Sequence, residues 1–100
     1  MTLINDVTDP IKPTIEHHVN EVLDSRGRQE QVYNFIVYHF EAEGGYGRAQ
    51  AYLHKPTVVE MYGPFRSRAS VEPVQAPALI DAAKTYLKRR FKSVRTRSHP

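Results

Sequence analysis

At 100 residues, with 40% hydrophobic and 25% charged side chains, the chain has a globular composition and room for one hydrophobic core, so wholesale disorder and fibrous repeats are excluded. No stretch approaches the ~18 apolar residues of a membrane helix. The N-terminus lacks a basic-then-apolar secretory run, and zero cysteines exclude disulfides and thiolate metal sites; a cytoplasmic protein making no membrane contact is expected. The net charge of +3 is uneven: residues 1–43 carry eight acids and three bases, a formal −5, and residues 44–100 eleven bases against Glu60, Glu72 and Asp81, a formal +8. Such polarity points to an anionic partner.

In chain order, Leu3, Ile4 and Val7 fit a short strand closed by Asp9-Pro10-Ile11-Lys12-Pro13. Ile15, Val19, Val22 and Leu23 then recur at helical spacing, with Glu16, Asn20, Glu21 and Asp24 on the other side. With Pro13 at the first helical position and Ser25-Arg26-Gly27 as the stop, the spacing predicts a helix over 13–25. From Val32 to Glu43 both alternating sets are apolar, aromatic or β-branched, which reads as an interior strand. Gly44-Gly45-Tyr46-Gly47 suits a hairpin loop. The strand expected from Arg48 to His54 turns Ala49, Ala51 and Leu53 to one face, where small residues admit a helix. Lys55-Pro56-Thr57 makes a second turn, and Val58 to Tyr62 completes a three-strand meander before Gly63-Pro64. Residues 65–76 show no period and read as a flexible loop, and 96–100 as a disordered tail; the whole of 1–100 forms one domain.

The closing segment reads as an amphipathic helix from Pro77 to about Arg95. On a wheel, Ile80, Ala83, Leu87, Phe91 and Val94 fall within ~80° and Lys84, Lys88, Arg89, Lys92 and Arg95 fill a separate arc, with Arg90 beside the apolar stripe. Cations without nearby acids attract phosphates by releasing their counterions, so these five are the leading nucleic-acid-binding candidates, with Arg66 and Arg68 secondary.

The resulting order β-α-β-β-β-α, an α+β fold with a four-stranded mixed sheet and two helices on one face, is that of a double-stranded-RNA-binding-domain-like architecture. It also meets specific residues. Pro13, Ile15, His18, Val19 and Leu23 keep a Pro-x-Ile-x-x-His-Val-x-x-x-Leu spacing; Ala51 to Pro56 leads to Gly63; and Ile80-Asp81 precedes Leu87, Arg89, Lys92, Arg95 and Arg97. In these motifs the chain resembles the short ribosome hibernation promoting factors, the family of ribosome-associated inhibitor A. The resemblance implies a non-enzymatic translation inhibitor that occupies the small ribosomal subunit and contacts its rRNA through basic helix faces, without cofactor or small-molecule substrate. A monomer is favoured.

Other readings are weaker. The ten aromatic residues loosely echo an RNA-stacking strand at Tyr33 to Tyr38, but core packing explains them better, with Tyr52 and Tyr62 as exceptions if one sheet face is uncovered. His17, His18 and Glu21, or His39 with His54, lack metal-ligand spacing, and no nucleophile elbow or phosphate loop is present. The rival to RNA binding is a protein-binding or self-associating module whose basic helix meets an acidic protein surface.

Overall fold

The computed structural model describes residues 9–42 and 44–97, with the side chains of Glu30 and Gln31 left aside. The class is α+β: strands β1 (Thr14–Leu23), β2 (Gln29–Ala42), β3 (Gly45–Tyr52) and β4 (Val58–Phe65), helix α1 (Pro77–Lys88) and strand β5 (Ser93–Arg97). The strands form a five-stranded sheet in the order β1-β2-β3-β4-β5, antiparallel throughout except that β5 runs parallel to β4, as a crossover through a helix requires. The expected four strands and two helices therefore become five strands and one helix. The proposed strand at Leu3 to Val7 lies outside the described residues.

The segment expected as the first helix is β1. Ile15, Val19 and Leu23 are four apart, which satisfies a helix and also the two-residue period of a strand. What decides is the next strand: β1 pairs with β2 along its whole length, from Thr14 opposite His39 to Leu23 opposite Gln29. Ser25-Arg26-Gly27, expected to stop a helix, closes this hairpin instead. Asp24 Oδ1 accepts the backbone N–H groups of Arg26 (2.8 Å) and Arg28 (2.9 Å), and Gly27 takes the positive φ of 78° that the turn needs.

The meander of β2, β3 and β4 follows the expected order, although the hairpin after β2 is tighter: Ala42 pairs with Gly45, and Gly45 to Gly47 belong to β3. Space at Gly45 is tight because the residue before α1 and the end of β4 lie close. A Cβ on Gly45 would sit 3.2 Å from the Ala76 Cβ and 3.2 Å from the Phe65 carbonyl oxygen. Beyond Phe65 the chain folds back on itself, Arg66 N–H donating to Glu72 O and Val74 N–H to Pro64 O.

Helix α1 starts with proline at its first turn and ends at Lys88, not near Arg95. Ser93 to Arg97 instead alternate as β5, and Thr96 and Arg97, expected in a tail, lie opposite Met61 and Tyr62. Phe91 and Val94, expected on the apolar face of the helix, do pack against the core, but from the connecting turn and from β5. The core lies between α1 and one face of the sheet: Leu79, Ala83, Tyr86 and Leu87 meet Tyr38, Phe40, Ala49, Ala51, Val59 and Met61. As the alternation in β3 anticipates, Ala49 and Ala51 are the buried small residues beneath the helix. Among the described residues no helix is long and apolar enough to cross a membrane.

Candidate nucleic-acid interface on the open sheet face

Strand alternation sends every second side chain to the face opposite α1. Four rings run across it from β1 to the β3–β4 turn. His18 stacks on Phe35 (centroids 5.2 Å apart, 11° between planes), Phe35 meets Tyr52 at 5.5 Å, and Tyr52 meets His54 at 5.7 Å. Tyr33 is 37% exposed beside them. Among the described residues no helix covers these rings; hence a sheet that is apolar on both faces of β2 buries one of them only in part.

Beside the rings is a shallow hollow of about 310 Å³, lined by Tyr33, Tyr52, His54, Lys55, Arg95 and Arg97 among others. Arg97 is tied to Glu60, its Nε donating to Oε2 at 2.8 Å. Lys55 and Arg95 are exposed and form no ion pair among the described residues, so their charge faces solvent. Further along the face, the Arg48 guanidinium lies 5.3 Å from the centre of the Tyr62 ring. Burial pushes the Tyr62 phenol above its ordinary value.

The other end of this face is closed. Arg68 reaches over the Tyr46 ring and ion-pairs with Glu41 at 2.7 Å. Beneath it, buried His39 bonds the Tyr46 hydroxyl through Nδ1 at 2.5 Å and the Glu16 carboxylate through Nε2. Burial raises the Tyr46 phenol, so its hydroxyl stays protonated and suits donation to Nδ1, while Nε2–H donates to Glu16. This network fastens β1, β2 and β3 together, with Tyr46 and His39 buried and Glu16 at its half-exposed rim.

The cations expected on one helix face are divided by the sheet. Lys84 and Lys88 lie on α1, and exposed Lys92 lies in the turn after it. Arg95 is on β5 and points to the opposite side, into the hollow. Arg89 is ion-paired with Asp9 at 2.9 Å. Arg90, the residue that fitted neither arc of the wheel, also pairs with Asp9, at 2.8 Å, and stacks 3.6 Å above the Tyr86 ring. These two guanidiniums hold the Asp9 carboxyl below the usual carboxylate range, with Arg90 the stronger influence. Arg66 and Arg68 are engaged with Glu72 and Glu41.

Lys55 was not among the candidate residues, His54 was weighed only as a metal ligand, and Tyr33, for which core packing was preferred over base stacking, is instead exposed on the open face. Their signal was the alternation of the strands, which becomes informative only once one sheet face is known to be bare. Tyr52, named as an exception under that condition, is central to the ring ladder. Among the described residues no three His, Asp or Glu side chains converge as metal ligands would. Comparison with protein-family models finds none that matches, and comparisons with curated proteins and with solved structures return no match.

Proposed function

We propose that the chain binds single-stranded RNA on its open sheet face, with bases stacking on Tyr33 and Tyr52 and phosphates meeting Lys55 and Arg95. The observation that carries this reading is the uncovered ladder of rings beside cations whose charge faces solvent. Stacking on aromatic side chains together with backbone neutralisation is the usual basis of single-strand recognition. In this reading binding itself is the activity.

A ribosomal target, as the hibernation-factor resemblance implies, is a narrower form of this proposal. In the folded chain the contact to rRNA falls to Arg95 and its neighbours on β5 and not to a continuous basic helix, because the helix ends at Lys88. The rival reading, a basic helix seeking an acidic protein surface, is weakened by Asp9, which occupies Arg89 and Arg90 from within the chain.

The test is titration of a fluorescently labelled single-stranded RNA oligonucleotide with the wild-type chain and with Tyr52→Ala. Loss of a stacked base costs about 1–3 kcal/mol, an affinity loss of roughly five- to 150-fold. Equal affinity for the same sequence as a duplex, or no effect of Tyr52→Ala, would remove the basis of the proposal. Co-sedimentation with small ribosomal subunits, abolished by Arg95→Glu and not by Lys88→Glu, would place the RNA on the ribosome.

A further inference from the structure

The sheet ends in two unlike edges. β5 has five residues and carries Arg95 and Arg97, a short charged strand of the kind that discourages pairing. β1 has ten residues, contains neither proline nor lysine, and pairs among the described residues only with β2. Its side chains on the helix side are Ile15, His17, Val19, Glu21 and Leu23, and the three apolar ones are 52%, 56% and 52% exposed. The pairing with β2 shifts register only at its end, between Val22 and Leu23, and a ten-residue edge strand with exposed apolar side chains, whose outward backbone groups find no strand partner among the described residues, suits another strand.

We propose that β1 pairs antiparallel with β1 of a second copy, about a two-fold axis at Val19, joining two sheets of five strands into one. An axis perpendicular to the sheet keeps each face on its own side, so only residues of like parity meet and the axis must fall on a residue. Centred on Val19, Ile15 faces Leu23, His17 faces Glu21 and Val19 faces itself, which sets apolar against apolar and imidazole against carboxylate along the whole helix-side row. On the open side of this register Glu16 faces Val22 and His18 faces Asn20, so no like charges meet. Centring on His18 would set Ile15 against Glu21, and centring on Asn20 would set Val19 against Glu21 and His17 against Leu23. Within each copy the polar pair is already held upright: His17 Nε2 bonds Asn34 Oδ1, and Gln29 Nε2 donates to Glu21 Oε1 at 2.9 Å. The dimer needs no RNA, but it brings both open faces to the same side of one continuous sheet.

The experiment is light scattering after size exclusion of the RNA-free chain. The wild type is expected at twice the 11.5 kDa chain mass. Val19→Lys sets like charges together on the axis and is expected at the single-chain mass. His17→Glu opposes Glu21 and is expected to weaken association about tenfold, and His17→Glu with Glu21→Lys restores it by exchanging the partners. The side chains of Val19 and His17 are exposed, so circular dichroism should match the wild type, and the charge-exchanged pair keeps the test decisive if Val19→Lys unfolds. A wild type at any other mass overturns the proposal. So does a Val19→Lys variant that stays dimeric, or a double variant no tighter than His17→Glu alone.

Discussion

The salt dependence of RNA binding separates the open face from the helix face. Single-stranded nucleic acid gives a slope of log K against log salt of about −0.7 for each phosphate neutralised. Three cations line the hollow, but Arg97 is offset by Glu60, which leaves Lys55 and Arg95. Two phosphates give a slope near −1.4, so raising NaCl from about 50 to 200 mM weakens binding roughly sevenfold. Arg95→Ala halves the slope to about −0.7, and the same salt step then costs under threefold. Lys84→Ala with Lys88→Ala leaves the slope unchanged, because those side chains stand on the other side of the sheet. Fluorescence anisotropy of a labelled oligonucleotide across that salt range measures all three. A slope insensitive to Arg95→Ala, or one that falls with the lysine pair, refutes the assignment of the phosphate contacts to this face.

Three predictions concern the scaffold. Leu87 has no exposed surface between α1 and the sheet, so Leu87→Ala is expected to cost about 2–5 kcal/mol in urea denaturation, a large part of a small domain's stability; a loss under about 1 kcal/mol would contradict the packing described. His39→Ala leaves the buried Tyr46 hydroxyl without its partner and should cost about 1–3 kcal/mol. Adding Tyr46→Phe to it should cost little more, and full additivity in this double-mutant cycle would show that the two groups are not coupled. Asp9 has a lowered pKa in the folded chain, so its ion pairs contribute fully above the ordinary carboxylate range and are lost as pH falls through the lowered value, below about pH 4. An NMR titration of the Asp9 carboxyl checks this: a midpoint at or above that of an unfolded peptide contradicts the contact with Arg90 and Arg89.

The meander and the start of α1 were legible because their signals are local. Gly44 and Pro56 mark turns, both faces of 32–43 are apolar, and Pro77 opens a helix with a clear apolar arc. Ala49 and Ala51 announced the side on which the helix packs, since small side chains at those positions let it come close to β3. The two errors share one cause. Residues spaced four apart satisfy the helical and the strand periods alike, as with Ile15, Val19 and Leu23, whereas Phe91 and Val94, three apart, fitted the helix's apolar arc and only Val94 lies in a strand. Both segments became strands because each had a neighbour offering a ladder of backbone hydrogen bonds, β2 for the first and β4 for the second, and a neighbour is invisible in local spacing.

The binding site depended on the same decision. Composition and charge order by themselves determined that the second half of the chain is cationic, because charge is a property of the residues and not of their arrangement. Which cations act together was decided only in three dimensions. Ending α1 at Lys88 and turning Ser93–Arg97 into a sheet edge carried Arg95 to the face away from Lys84 and Lys88, and Asp9 came from the far end of the chain to occupy Arg89 and Arg90. The rings of Tyr33 and Tyr52 became candidate contacts for the same reason: the one helix among the described residues covers the other face of the sheet and leaves these rings uncovered.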